Sequence, residues 1–183
     1  MILTKFNIKR IIATVIGAIV FFVLARFASI FVYEGTYISF QYAILGSFAA
    51  VFGPVSGLLI GLFGHAFTDL SFYSNVESIW WSWVIASAIA GFLAGFVFKA
   101  RKVEEGKFEK KDILRFIVGN LIIHAISWGV VAPILDIIIY KEPFEKLFMQ
   151  GLIAGTSNFI ITAVVGSLLL ISYADTRIST TSN

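Results

Sequence analysis

The sequence predicts an all-α integral membrane protein, a bundle of six transmembrane helices with the N and C termini cytoplasmic. Three observations point there. Of the 183 residues, 58% are hydrophobic and only 14% are charged, against about one quarter charged in a soluble domain. Apolar runs of roughly 20 residues, enough to cross a bilayer, recur along the whole length. The basic residues are clustered, and the clusters share one side of the membrane only if the chain crosses it six times.

The first span is Ile11–Ile30. It is longer than a signal-peptide core and has no small-x-small cleavage site before a soluble domain, so it is read as a retained helix. The second and third spans, Phe40–Phe52 and Pro54–Leu70, divide at Phe52-Gly53-Pro54. Proline disfavours helical geometry in the residue before it, and glycine permits a reversal. The fourth is Trp80–Phe98, the fifth Ile113–Ile139 and the sixth Leu147–Tyr173.

Charge supports the division at Gly53. Lys99, Arg101, Lys102, Lys107, Lys110, Lys111 and Arg115 lie between the fourth and fifth spans, and Lys5, Lys9 and Arg10 precede the first. Two helices over residues 40–70 place both clusters in the cytoplasm, where Lys and Arg collect; one long helix would put the larger cluster outside. The loops Phe31–Ser39, Ser71–Ile79 and Tyr140–Lys146 then face outward. Residues 1–175 form a single membrane domain, and 176–183 a polar cytoplasmic tail, read as loose.

Small residues recur every four positions: Gly53, Gly57 and Gly61 on the third span, Ser87, Gly91 and Gly95 on the fourth. Such stripes let another backbone approach closely and suit packing within the bundle. Gly151 and Gly155 open the last span. Ala13 and Gly17 form a similar pair near the cytoplasmic end of the first, placed for internal packing or for another subunit.

Ionisable groups are costly in hydrocarbon, so each needs an explanation. Arg26 lies toward the outer end of the first span, and His65 and Asp69 occupy the last turns of the third. Trp80, Trp81 and Trp83 begin the fourth. Asn120, His124 and Trp128 form one stripe on the fifth, with Asp136 further out, and Asn158 lies near the middle of the sixth with Gln150 above it. Apart from Asn120, the set runs from the midplane outward, as the wall of an outward-open cup for a small planar ligand. Simpler roles compete with that reading. Trp80 and Trp81 suit an interfacial belt, Arg26 suits an ion pair with Asp136 or Asp69, and Asn120 a bond to a neighbouring helix.

Several chemistries are absent. No phosphate-binding loop of the ATPase type and no serine-nucleophile motif occurs. There is no cysteine, which excludes disulfide and thiolate chemistry. His65 and Asp69 share a helix face and could ligate a metal with His124, but no H-E-x-x-H is present. The 99–115 segment alternates its charges with Glu104, Glu105 and Glu109 and reads as a connector, not a nucleic-acid surface.

The segments FQYAILGSFAAVFGPVSGLLIGLFGHAFTDL, WWSWVIASAIAGFLAG, WGVVAPILDIIIY and QGLIAGTSNFI resemble the substrate-binding S components of energy-coupling-factor (ECF) vitamin transporters. Within these they are similar to a subgroup of uncharacterised membrane proteins. The resemblance runs from the first span to Tyr173. It implies a non-enzymatic, cofactor-free subunit of a bacterial plasma membrane. Such a subunit captures a vitamin from outside, joins a membrane coupling subunit and two ATPases, and topples to release the ligand inside. It also implies a ligand of the hydroxymethylpyrimidine or pyridoxine type, with cobalamin as the alternative. In the family an alanine-x-x-x-alanine pattern on the first helix contacts the coupling subunit; Ala13 and Gly17 match it, the second with glycine. The competing readings are an intramembrane metal-dependent enzyme built on His65, Asp69 and His124, and a small channel or scaffold.

Overall fold

The structure, a computed structural model, describes residues 7–33, 36–73, 75–97 and 103–181. Of the basic clusters, Lys5, Lys99, Arg101 and Lys102 lie outside the described residues. Six helical passes form the bundle. Helix α1 (Ile8–Phe27) leads into a hairpin of β1 (Ser29–Tyr33) and β2 (Thr36–Ser39), then α2 (Gln41–Phe52), α3 (Pro54–Tyr73) and α4 (Trp81–Val97). The fifth pass joins α5 (Lys110–Ile126) to α6 (Ala132–Tyr140) through a π-helical turn, Ser127–Val131. The sixth joins α7 (Phe144–Ile161) to α8 (Ser167–Thr181) through another, Thr162–Gly166.

Local chemistry places the boundaries. The Asn7 side chain caps α1 by accepting from Arg10 N at 3.0 Å. Between α2 and α3, Gly53 adopts φ 93°, a conformation open to glycine, and Pro54 starts the next helix. Between the fifth and sixth passes, Lys141 takes the left-handed conformation at φ 58° and Pro143 precedes α7.

Among the described residues, four helical segments are long and apolar enough to cross a membrane: Ile8–Phe27, Pro54–Phe72, Lys110–Tyr140 and Phe144–Arg177. The other two, Gln41–Phe52 and Trp81–Val97, are shorter and pack inside the bundle. Ile11, Ile12, Val15, Ile16 and Ile19 are exposed along α1, as are Leu114, Val118, Leu121 and Ile122 along α5. An apolar exterior of this extent requires lipid as solvent.

The glycine stripes meet each other. A Cβ added to Gly57 would overlap the Gly91 carbonyl, one on Gly61 the Ser87 carbonyl, and one on Gly95 the backbone of Pro54. Helices α3 and α4 are therefore zipped backbone to backbone, with no side chain between them at these points. Phe21, Tyr42, Leu45, Ile60 and Trp128 fill the core beside this zipper. Phe116, Val51, Val103 and Leu170 fill a second cluster toward the 103–109 connector.

Two expectations need correction. The first span is expected to reach Ile30 and Phe31–Ser39 to be a loop; Ser29–Tyr33 and Thr36–Ser39 instead pair as antiparallel strands, Ser29 with Ser39, Ile30 with Ile38 and Phe31 with Tyr37. The tail expected to be loose after residue 175 is helical to Thr181, and the Arg177 guanidinium donates to the Tyr173 hydroxyl at 2.6 Å within that helix.

Candidate functional site

Beneath the hairpin is a cavity of about 80 Å³. Helix α3 supplies His65, Thr68, Asp69 and Phe72, spaced so that one helix face lines it. Gln41 and Tyr42 enter from the start of α2, Trp83 from α4, and Ala154 and Asn158 from α7. Ala25 and Tyr37 complete the wall. Tyr37 of the hairpin stacks on Phe72 with ring centroids 5.6 Å apart, and the Arg26 guanidinium sits 4.6 Å from the Phe72 ring centre. The hairpin end of the cavity is thus bordered by stacked rings with a cation on them.

Two hydrogen-bonded chains organise the wall. In the first, Ser87 Oγ lies 2.6 Å from His65 Nδ1 and 2.9 Å from the Tyr42 hydroxyl. The other ring nitrogen of His65 is 3.6 Å from Asp69 Oδ1, and Asp69 Oδ2 accepts from the Trp80 amide at 2.9 Å. This chain ties α2, α3 and α4 together around the cavity. In the second, Trp128 Nε1 donates to His124 Nδ1 at 3.1 Å, which leaves Nε2 as the donor to Thr162 Oγ1 at 3.1 Å. It lies behind the wall, and the Tyr42 ring stands edge-on to both His124 and Trp128.

Asp136, 1% exposed, is the focus of a third group. Its carboxylate accepts from Trp80 Nε1 at 2.6 Å, from Trp83 Nε1 at 2.9 Å and from Ser82 Oγ. Three donors, one from Trp80 just before α4 and two from its first turn, converge on a single acceptor from α6. This fixes the indole of Trp83, whose other neighbour is Trp128 at 5.1 Å between centroids.

The expected site residues thus divide. His65, Asp69, Trp83 and Asn158 line the cavity. His124, Trp128 and Asp136 support it from behind, and Trp80 stacks on Tyr140 at 4.4 Å, away from it. Trp81 is exposed at the bundle's rim, its amide bonded to the Tyr140 hydroxyl at 2.8 Å. The expected ion pair of Arg26 with Asp136 or Asp69 is replaced by ring contacts for Arg26 and by indole and hydroxyl donors for Asp136. Asn120 bonds the Phe116 carbonyl of its own helix at 2.8 Å, not a neighbouring helix. Tyr37, Gln41, Tyr42, Thr68 and Phe72 were missed. Gln41 and Tyr42 open a helix, where such residues read as interfacial, and Tyr37 belongs to the unforeseen hairpin. The three-ligand metal reading fails: among the described residues no group of three His, Asp or Glu can hold an ion, and both nitrogens of His124 are engaged.

The pair Ala13 and Gly17 faces inward. A Cβ on Gly17 would stand 2.6 Å from Ile60 Cδ1 and 2.8 Å from Phe48 Cδ1, so this glycine is spent on internal packing. The neighbouring face of α1 is open. It forms, with α3, an apolar groove of about 480 Å³ whose walls include Ile11, Ile19, Phe63 and Phe67 and whose floor includes Thr14 and Ala18.

A cavity under a hairpin, inside a bundle with an apolar exterior, fits a membrane-embedded binding protein for a small molecule. A family model for the ECF-type riboflavin transporter S component matches residues 5–175. The chain belongs to that family: it is a substrate-binding subunit of an ECF transporter, not an enzyme, and works with the coupling and ATPase subunits of an ECF module. It is similar to a UPF0397 protein of Exiguobacterium, 45% identical over 176 residues, covering 96% of this chain and 94% of the relative. UPF0397 proteins of Streptococcus gordonii and Streptococcus pneumoniae are each 42% identical over 174 residues. The alignments cover 95% and 94% of this chain and 92% and 93% of those relatives.

Proposed function

We propose that the cavity captures a single-ring heteroaromatic vitamin or precursor, of the hydroxymethylpyrimidine or pyridoxine type. The hairpin end faces outside the bacterial plasma membrane, and the ECF module carries the ligand inward. The aromatic lining carries this reading, and the small size of the cavity disfavours larger ligands. Sites for drug-sized ligands occupy roughly 300–1,000 Å³, several times the 80 Å³ found here. A three-ring flavin, which the family description would suggest, or a corrin, would have to displace the walls. The lining supports the ring: Trp83, Tyr42 and Phe72 offer faces and edges for stacking. The basic residues Lys9, Arg10, Lys107, Lys110 and Lys111 at the opposite end support that orientation.

Titration of the purified protein, followed by tryptophan emission, tests the reading. Hydroxymethylpyrimidine or pyridoxine is expected to saturate the signal, with riboflavin and cobalamin silent. Saturation by riboflavin or cobalamin, with no response to either single-ring compound, overturns it.

The groove between α1 and α3 is the face we assign to the coupling subunit, because Ala18 in its floor admits a partner helix closely. Ala18→Phe is expected to prevent copurification with the module while leaving ligand titration unchanged. Gly17→Leu, by contrast, is expected to destabilise the isolated protein, since its side chain would enter the space of Ile60 and Phe48. Thermal unfolding and copurification of the two variants separate these effects. A Gly17→Leu protein with wild-type stability that fails to copurify would return the docking role to that residue.

A further inference from the structure

We infer that the ligand presents N–H donors to this cavity, as an amino-substituted ring does and a carbonyl-rich ring does not. The inference rests on the reading that the cavity is the ligand site. Its basis is an imbalance among the polar groups of the wall. Gln41 Oε1 and Asn158 Oδ1 are buried without a hydrogen-bond partner, and both residues line the cavity, from α2 and α7. Asn158 is 3% exposed. Burying a polar atom unpaired is costly, so two in one cavity point to a partner that arrives later. Asp69 adds a third acceptor. Its Oδ2 holds the Trp80 amide, but Oδ1 has only His65 Nε2 at 3.6 Å, beyond hydrogen-bond length.

Outside the two carboxamides, most donors of the same wall are already engaged within the protein. Thr68 Oγ1 donates to the Gly64 carbonyl at 2.7 Å, Trp83 Nε1 to Asp136, and the Tyr42 hydroxyl lies in the chain with Ser87 and His65. Rotating a carboxamide would exchange its acceptor for a donor, but a carboxylate has no such freedom. With Asp69 present, a ligand carbonyl set against the α3 wall meets lone pairs. An exocyclic amino group there supplies two N–H bonds, and an adjacent ring nitrogen can take the NH2 of a carboxamide. A carboxamide reads an amino-azine edge in this way whatever the scaffold. Of the two ring types proposed above, the aminopyrimidine is favoured.

The test compares two probes on the full-length protein: hydroxymethylpyrimidine, which carries the amino group, and the same ring with a carbonyl in its place. The amino probe is expected to bind at least about tenfold more tightly. Asn158→Leu and Asp69→Asn are expected to bring that ratio close to one. Equal affinities in the wild type, or tighter binding of the oxo probe, overturn the inference and leave the single-ring reading standing. Failure of both probes, with riboflavin bound, overturns both. Failure of both with no other ligand found also counts against the inference. Because the ratio is measured in the wild type, it decides the matter even where a variant fails to fold.

Discussion

Asp136→Leu is expected to abolish ligand binding and lower thermal stability together, although Asp136 does not line the cavity. Its carboxylate holds the indole N–H groups of Trp80 and Trp83 and the Ser82 hydroxyl, at the start of α4. Leucine of similar size leaves all three donors facing hydrocarbon. Each unpaired donor costs about 1–3 kcal/mol, so a total on the order of 3 kcal/mol or more is expected. The loss falls on the orientation of Trp83, which forms one wall of the cavity. Asp136→Asn is the informative companion. It keeps one acceptor oxygen but turns an NH2 toward one of the indole donors. Its stability should fall less than that of the leucine variant, and its tryptophan emission should shift as an indole loses its partner. Unfolding midpoints and hydroxymethylpyrimidine titration check both variants. Wild-type affinity in Asp136→Leu would mean that Trp83 is held without it.

The second large effect is expected at the glycine zipper. Gly57→Leu and Gly91→Leu should prevent assembly of the bundle, because each side chain would start inside the other helix's backbone. Alanine at either position is a milder form of the same insult, expected to cost about 1–3 kcal/mol as the helices part. Gly129→Ala is the control, since a Cβ there meets nothing within 4 Å. Monodisperse yield in detergent and thermal unfolding should rank the variants leucine, alanine, Gly129→Ala from worst to best. Normal yield for Gly57→Leu would show that α3 and α4 can separate without loss of the fold.

The zipper is legible in the sequence, since small residues four apart on two successive spans suit a close approach of backbones. The break at Gly53-Pro54 was legible for a similar reason: two residues with unusual backbone limits stand together. The hairpin was less visible, because aromatic and β-branched residues on either side of Glu34-Gly35 were read as an outer loop. Alternating aromatic and β-branched residues flanking a glycine are a strand signal, outweighed by the expectation that only helices matter in a membrane chain. Within the site, residue type and depth identified the polar set but not its partners. Trp80, Ser82, Trp83 and Asp136 satisfy one another, as do His124, Trp128 and Thr162. Which polar groups are left over for a ligand depends on pairings between distant helices, and one-dimensional spacing does not contain them.

The two π turns make chain length itself a determinant of the wall. A π turn accommodates one residue more than the α-helix it interrupts. Winding all of 127–131 as plain α-helix, with no residue removed, would rotate everything beyond it by about 100°. Asp136 lies beyond that turn and would swing away from Trp80 and Trp83. The same rewinding of 162–166 would leave Asn158 in place but carry Leu170 and Ala174 out of their buried cluster. A homologue shorter by one residue in the first window could run as an unbroken α-helix there and keep the carboxylate latch in register. Single-residue length changes should therefore be tolerated in these two short windows, where elsewhere in the same helices they would turn the wall away from the cavity.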